Sequence, residues 1–215
     1  ADKNIFNKDL NSKWDKDSKI KLVTHHWGAN WNKGFEIYKF LDEILSKKEY
    51  KEKIEFIYIG NLPKKFKFKN SIHIEPTSGN TLSNEIKKNH IYLTASINEP
   101  SGNHHIEGAQ CGLPLLYLES GGTPEYAKGY GVSFEPNNFE EKLNYLIDNY
   151  DTYYEKVKLY PNNSDLMCQE YEILFNNLIS NKSTLLRDRD YSKKKNIIEK
   201  FFYLAIRKIT NNYKN

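Results

Sequence analysis

Residues 90–118, HIYLTASINEPSGNHHIEGAQCGLPLLYL, contain a complete strand, loop, helix and second strand. The apolar run at 90–94 has the length of a buried strand, and 115–118 repeats the pattern. A helix is predicted over about 103–111, and Gly112 is well placed to end it as the C′ residue. This unit predicts two parallel strands joined by a crossover helix.

The same alternation extends along the chain to both sides of this unit. Further strands are predicted at 20–26, 54–59, 72–75 and 132–134, with helices at 34–47, 81–88 and 138–149. The pattern predicts an α/β fold: a Rossmann-like, doubly wound parallel sheet of about six strands with extra C-terminal helices. Ligands of such sheets bind at the carboxyl ends of the strands.

The end of the chain has a different character, because residues 151–215 contain no convincing strand. Two helices are predicted there, at about 164–180 and 192–210. We therefore expect a ligand-binding domain over 1–150 and a helical C-terminal extension over 151–215 that packs on it. The chain does not begin with Met, and we expect it to be part of a longer protein.

Composition narrows the class of partner. The 215 residues include 38% hydrophobic and 28% charged residues, with a net charge of +4. Arginine occurs only at 187, 189 and 207, which argues against nucleic acid as a partner. The two cysteines form no metal or disulfide pattern, so a reducing, cytoplasmic location is expected.

The loop before the helix at 103–111 has the properties of an anion site. Ser101, Gly102 and Asn103 supply flexible backbone and capping capacity. The unpaired N–H groups and the helix dipole favour a phosphate at this helix start. Glu107 lies one turn further, where a carboxylate can accept hydrogen bonds from the vicinal hydroxyls of a ribose.

Three motifs in order then resemble one family. Glu99 and Glu107 are separated by seven residues, as in the E-x7-E motif of retaining glycosyltransferases of GT-B architecture, group 1 or family 4. The segment 107–114, EGAQCGLP, is similar to that family's EAMACGLP, and 121–125, GGTPE, to its GG-x-P-E loop. The resemblance extends to 24–35, THHWGANWNKGF, which is similar to the G-R-x-x-x-x-K-G loop, and it covers about residues 1–150.

The resemblance implies the donor-binding half of a retaining glycosyltransferase, whose acceptor site lies mainly in an N-terminal GT-B domain missing from this chain. The donor would be a UDP-, GDP- or ADP-sugar, with no metal and no other cofactor. Lys33 would pair with the diphosphate and Glu99 would contact the sugar as the catalytic pair, while Glu107 would bind the ribose. The remaining donor contacts implied are Gly102, Asn103, His104, Gly122, Thr77, His26 and Asn30.

One departure leaves alternatives open. The family's arginine falls on Gly28, so the diphosphate would lose one cation, and His25, His26 and Asn30 are candidate substitutes. A degenerate GT-B-like binding module, a nucleotide-sugar 2-epimerase and a phosphorylase are the alternative functions. Isolated from its partner domain, the chain is expected to bind nucleotide but to transfer little or no sugar.

Other residues have plainer interpretations. His104 and His105 are expected to cap the helix or lie on the surface, since no third metal ligand is evident. His25 and His26 are either core groups or phosphate contacts. Cys111 is expected to be a small buried residue. The basic loop at 64–69 favours a solvated surface over a lipid headgroup contact, so a peripheral membrane contact is the less favoured interpretation.

Overall fold

Six parallel strands form one sheet in the computed structural model, which describes residues 1–11, 13–188 and 202. The strands are β1 (Ile20–His26), β2 (Ile54–Gly60), β3 (Ile72–Ile74), β4 (Ile91–Thr94), β5 (Leu115–Leu118) and β6 (Gly131–Phe134). Their spatial order is β3-β2-β1-β4-β5-β6, and all neighbours run parallel. The predicted fold class is confirmed. The order reverses between β1 and β4, where open α/β sheets form their binding crevice.

Helices lie between most of these strands and after β6. They are α1 (Phe35–Ile44), α2 (Lys48–Lys51), α3 (Gly79–Lys87), α4 (Asn103–Gln110), α5 (Thr123–Ala127), α6 (Phe139–Asp148), α7 (Tyr150–Val157), α8 (Ser164–Ser180) and α9 (Lys182–Asp188). A 3₁₀ turn, Trp31–Lys33, precedes α1. The short helices α2, α5, α7 and α9 were not predicted, because one or two turns give too few apolar repeats to recognise.

Each face of the sheet buries its own core. Alternate strand residues point to opposite faces, so Leu22 packs with α1 and α6, whereas its neighbour Val23 packs with α3 and α4. The first core includes Phe35, Tyr38, Leu41, Phe139 and Leu143, and the second includes Leu82, Ile86, Ala109 and Ala127. Helices therefore cover both faces, as a doubly wound sheet requires.

Two glycines allow close approaches that set the positions of loops at the carboxyl edge. Gly34 ends the 3₁₀ turn with φ +101°, and a Cβ there would lie 2.6 Å from the side chain of Ala95. Gly108 packs α4 onto β4, because a Cβ would lie 2.2 Å from the ring of Tyr92. These contacts bring the loop after β1 and the first turns of α4 close to β4.

Contacts divide the chain into one compact unit, Ala1–Met167, and a second that begins at Cys168. The predicted boundary near residue 150 stays a prediction. Within the described residues, no helix is both long and apolar enough to cross a bilayer. The helix predicted over 192–210 lies outside the described residues.

In the basic loop at 64–69 the lysines are exposed and the two phenylalanines are not. Phe66 and Phe68 are half-buried and pack against the first core, with Phe66 next to Phe35 and Phe68 next to Tyr58. The aromatic residues of this loop are therefore core groups, while its lysines face solvent.

Candidate functional site

The candidate site lies at the carboxyl ends of β1 and β4, where the strand order reverses. Backbone hydrogen bonds join the loops that meet there. The amide of Ile97 donates to the carbonyl of Asn32 at 2.8 Å, and the amide of Gly122 donates to the carbonyl of Glu99 at 2.8 Å. The loops after β1, β4 and β5 are thus tied together around Glu99.

Lys33 and Glu99 form an ion pair at this edge. The Lys33 ammonium donates to Glu99 Oε2 at 2.5 Å, and the side chains are 26% and 16% exposed. The structure thereby brings together two residues that lie 66 positions apart in the sequence. Both side chains are therefore partly accessible to solvent.

Glu107 is held by a second pair. His25 Nε2 lies 2.7 Å from Glu107 Oε2, and the other ring nitrogen of His25, Nδ1, lies 2.9 Å from the Tyr92 hydroxyl. His25 is 6% exposed and Tyr92 is fully buried. Tyr92 was not anticipated from the sequence, because a tyrosine in an apolar strand indicates only a core position.

The amino end of α4 lies in the sequence between Glu99 and Glu107, the carboxylates of the two pairs. Gly102 is its N-cap residue, with φ −80° and ψ 131°, and no side chain of the described residues caps it. Asn103, the first helical residue, is exposed. The first amides of α4 therefore have the geometry to bind an anion. The helix ends as predicted: Gly112 is at φ +83°, its amide donates to Ala109, and the next amide donates to Gly108.

Two of the predicted donor contacts, His26 and His104, prove to have buried rings. His26 Nε2 lies 2.8 Å from the Tyr38 hydroxyl, and His104 Nε2 lies 2.7 Å from Thr94 Oγ1. The two rings are 4.7 Å apart. Burial holds the pKa of both histidines well below its ordinary value, so they are neutral at pH 7.

The prediction of surface or capping roles for His104 and His105 was wrong. His104 is 9% exposed and His105 is fully buried. Within the described part of the chain, both ring nitrogens of His105 are without partners. Burial lowers the pKa of His105 to about 4, against the smaller opposing effect of Glu99 and Glu107. The His104 and His105 side chains face inward because β4 and α5 pack against α4, with His104 on Thr94 and His105 on Tyr126.

The other predicted contacts fall into two groups. Gly28 and Asn30 lie next to Lys33, since a Cβ on Gly28 would be 3.3 Å from Lys33 Cε and 3.5 Å from Asn30 Nδ2. Thr77 lies on the other side, where it lines a small crevice with His26 at the ends of β1 and β2. Gly122 and Gly102 lie close to the loop that carries Glu99, since a Cβ on Gly122 would be 2.3 Å from the Pro100 carbonyl oxygen and a Cβ on Gly102 would be 2.9 Å from Glu99 Cγ.

Two open cavities lie away from the ends of β1 and β4. One of about 660 Å³ is lined by Ile20 and Ile54, the first residues of their strands, and so lies at the opposite edge of the sheet. Another of about 630 Å³ borders β6. Both cavities are lined by exposed charged side chains, whereas the two least exposed ion pairs of the described residues lie at the ends of β1 and β4. We assign the candidate site there. No cluster of metal-ligating side chains occurs among the described residues.

No protein-family model matches the chain, and no curated protein matches it by sequence. Solved structures do match. The fold is that of glycosyltransferases. The catalytic domain of starch synthase IV from Arabidopsis thaliana, bound to ADP and acarbose, matches 83% of this chain with a TM-score of 0.61 at 14% identity. Sucrose-phosphate synthase from Thermosynechococcus elongatus matches 84% with a TM-score of 0.61 at 13% identity.

The solved structures differ in how much of their own length this chain covers. The chain spans 42% of the starch synthase structure and 51% of the sucrose-phosphate synthase. By contrast, it covers 98% of the C-terminal domain of the glycosyl transferase group 1 family protein LpcC from Francisella tularensis, with a TM-score of 0.56 at 16% identity. At these identities the comparison establishes the fold.

Proposed function

We propose that this chain is the donor-binding half of a retaining glycosyltransferase that uses a nucleoside diphosphate sugar. One observation carries the proposal: an ammonium group, two carboxylates and an uncapped helix start meet at the point where the strand order reverses. The size match to a C-terminal domain of a group 1 glycosyl transferase supports the assignment to one half of such an enzyme.

The diphosphate would bind between Lys33 and the first amides of α4. In the free chain the Lys33 ammonium is bonded to Glu99. A diphosphate carries more charge than one carboxylate, so it competes for this ammonium and releases Glu99 toward the donor sugar. The dipole of α4 favours the same anion. The ion pair thus keeps both side chains at the site until the donor arrives.

Glu107 would grip the ribose. An ionised carboxylate accepts hydrogen bonds from vicinal hydroxyls, and Glu107 is half-buried with one oxygen already fixed by His25. Because Glu107 lies one helical turn beyond the amino end of α4, a single loop–helix unit can hold diphosphate and ribose together. The base would then extend toward the crevice that contains Thr77.

Catalysis would follow from where charge develops. Cleavage of the bond between sugar and diphosphate passes through an oxocarbenium-like state, and negative charge grows on the leaving phosphate oxygens. Lys33 and the amides of α4 are preorganised to stabilise that charge. In a retaining reaction the acceptor attacks from the face that the diphosphate leaves. The acceptor site belongs to the partner domain, so this chain should bind the donor and transfer little sugar.

Titration calorimetry with UDP, GDP and ADP tests this proposal. We expect heat with at least one nucleotide, and its loss or strong reduction in Lys33→Ala and in Glu107→Ala. The control is Lys39→Ala, which removes one positive charge from an exposed pair on α1 and should leave affinity unchanged. Absence of heat with all three nucleotides, or equal affinity in all variants, would refute the proposal.

A further inference from the structure

We propose that His25 is a positioning residue that makes Glu107 selective for a ribose over a deoxyribose. This inference rests on the proposed function, because it concerns how Glu107 recognises the pentose of the donor. What is new is the role of the His25 side chain, which is hydrogen-bonded to Glu107 and need not contact the nucleotide.

The geometry fixes the tautomer of His25. An ionised carboxylate can only accept hydrogen bonds, so the proton of a neutral imidazole must lie on Nε2, 2.7 Å from Glu107 Oε2. In the neutral ring Nδ1 is then an acceptor, and the Tyr92 hydroxyl at 2.9 Å donates to it. The Tyr92 oxygen in turn accepts from the backbone amide of His25 at 3.3 Å. Tyr92 therefore holds the ring with its Nε2–H toward the carboxylate.

The burial of these groups makes the arrangement rigid. Burial raises the pKa of Tyr92 well above its ordinary value, which keeps its hydroxyl protonated and able to donate. His25 also packs edge-to-face on the Tyr92 ring, with centroids 5.7 Å apart. Gly108 permits α4, which carries Glu107, to approach Tyr92 closely. The three hydrogen-bonded side chains, His25, Tyr92 and Glu107, thus come from β1, β4 and α4.

The consequence for Glu107 is that its carboxylate cannot rotate freely. His25 engages Oε2, which leaves Oε1 as the oxygen best placed to accept hydroxyl groups from a ligand. When the ligand lacks the 2′-hydroxyl, a fixed carboxylate keeps an oxygen that is desolvated and without a hydrogen bond, which weakens binding of the deoxyribonucleotide. A rotating carboxylate can turn to solvent and loses that discrimination. The ratio of ribonucleotide to 2′-deoxyribonucleotide affinity therefore reports on His25.

The experiment measures the affinity of the chain for the nucleoside diphosphate that binds and for its 2′-deoxy analogue. We expect the wild type to prefer the ribonucleotide by about tenfold or more, the effect of one hydrogen bond to a charged group. His25→Leu should reduce this preference to about twofold or less, and Tyr92→Phe should reduce it partly. His25→Gln places an amide donor near the position of Nε2 and should restore much of the preference.

Two controls separate positioning from folding. Affinity for inorganic pyrophosphate should stay within about twofold in every variant, since Lys33 and the α4 amides are untouched. His90→Gln changes another buried histidine, whose Nδ1 accepts from the amide of Lys21 at the opposite edge of the sheet, and should leave the preference unchanged. A long-range ¹H–¹⁵N spectrum of the wild type should show the Nε2–H tautomer for His25.

The outcomes are distinct. A wild type that binds no nucleotide refutes the proposed function and this inference with it. Ribonucleotide binding whose preference persists unchanged in His25→Leu overturns the inference alone and leaves the proposed function standing. A neutral His25 protonated on Nδ1 also overturns the inference, whatever the affinities. If His25→Leu fails to fold, the Tyr92→Phe and His25→Gln measurements decide.

Discussion

Replacing Glu99 with Gln is expected to make the chain bind a nucleoside diphosphate more tightly. In the free chain the Glu99 carboxylate occupies the Lys33 ammonium at 2.5 Å, and a diphosphate must displace it. Glutamine has nearly the same shape but no charge. The variant therefore removes both the competitor for the ammonium and the repulsion between the carboxylate and the incoming anion.

The size of the effect follows from the exposure of the pair. A hydrogen bond between charged groups contributes about 1.5–3 kcal/mol when it is protected from solvent. Lys33 and Glu99 are 26% and 16% exposed, so solvent screens part of this. We take about 1–2 kcal/mol as the remaining cost of opening the pair. UDP, or whichever diphosphate binds, should bind to Glu99→Gln about 5- to 30-fold more tightly.

The assay is calorimetry with the nucleoside diphosphate and with the corresponding nucleotide sugar. The gain should be smaller for the nucleotide sugar, since the variant also loses the contact between Glu99 and the sugar. Glu43→Gln is the matched control, because it removes an equal charge from an exposed pair with Lys39. Equal or weaker binding of the diphosphate to Glu99→Gln would show that Glu99 does not compete for Lys33.

Three further predictions concern stability and charge. Burial lowers the pKa of His90 to about 4, so between about pH 6.5 and pH 4 the unfolded chain binds a proton that the folded chain does not. The free energy of unfolding should therefore decrease as the pH falls through this range, and His90→Gln should reduce the slope by about 1.4 kcal/mol per pH unit, measured by urea titrations. Gly108→Ala should destabilise the chain by about 1–3 kcal/mol and weaken nucleotide binding, since its Cβ would collide with Tyr92; unchanged thermal unfolding would contradict the packing of α4. Gly28→Arg should raise diphosphate affinity about tenfold, because a second cation would lie beside Lys33, and calorimetry at two salt concentrations should show a steeper salt dependence than in the wild type.

The sequence was sufficient for the sheet because each strand is a short apolar run bounded by polar loops. It also placed Lys33 and Glu99 at the same edge, since parallel strands bring their carboxyl ends together. The bond between Glu107 and His25 could not be predicted in this way. It depends on which face of β1 each of two adjacent histidines occupies, and strand alternation sends His25 toward α4 and His26 toward α1.

The histidines of α4 show a second limit of sequence reasoning. His104 and His105 follow an exposed loop, so the local sequence favours solvent or capping roles. Burial was decided instead by tertiary packing, because α4 is pressed onto β4 at Gly108 and contacts α5. A histidine pair next to a small-residue helix face is thus ambiguous until the neighbouring helix is placed.

The absence of an arginine at position 28 has an electrostatic consequence for the whole site. Without a ligand, the site holds the Lys33 ammonium and the carboxylates of Glu99 and Glu107. His26 and His104 are neutral because burial lowers the pKa of each. An incoming diphosphate therefore meets only one full positive charge among these groups. Its remaining charge must be stabilised by the amides of α4, whose dipoles need no protonation and are fixed before binding. The proposed donor site thus depends more on the orientation of one short helix than on the number of its cations.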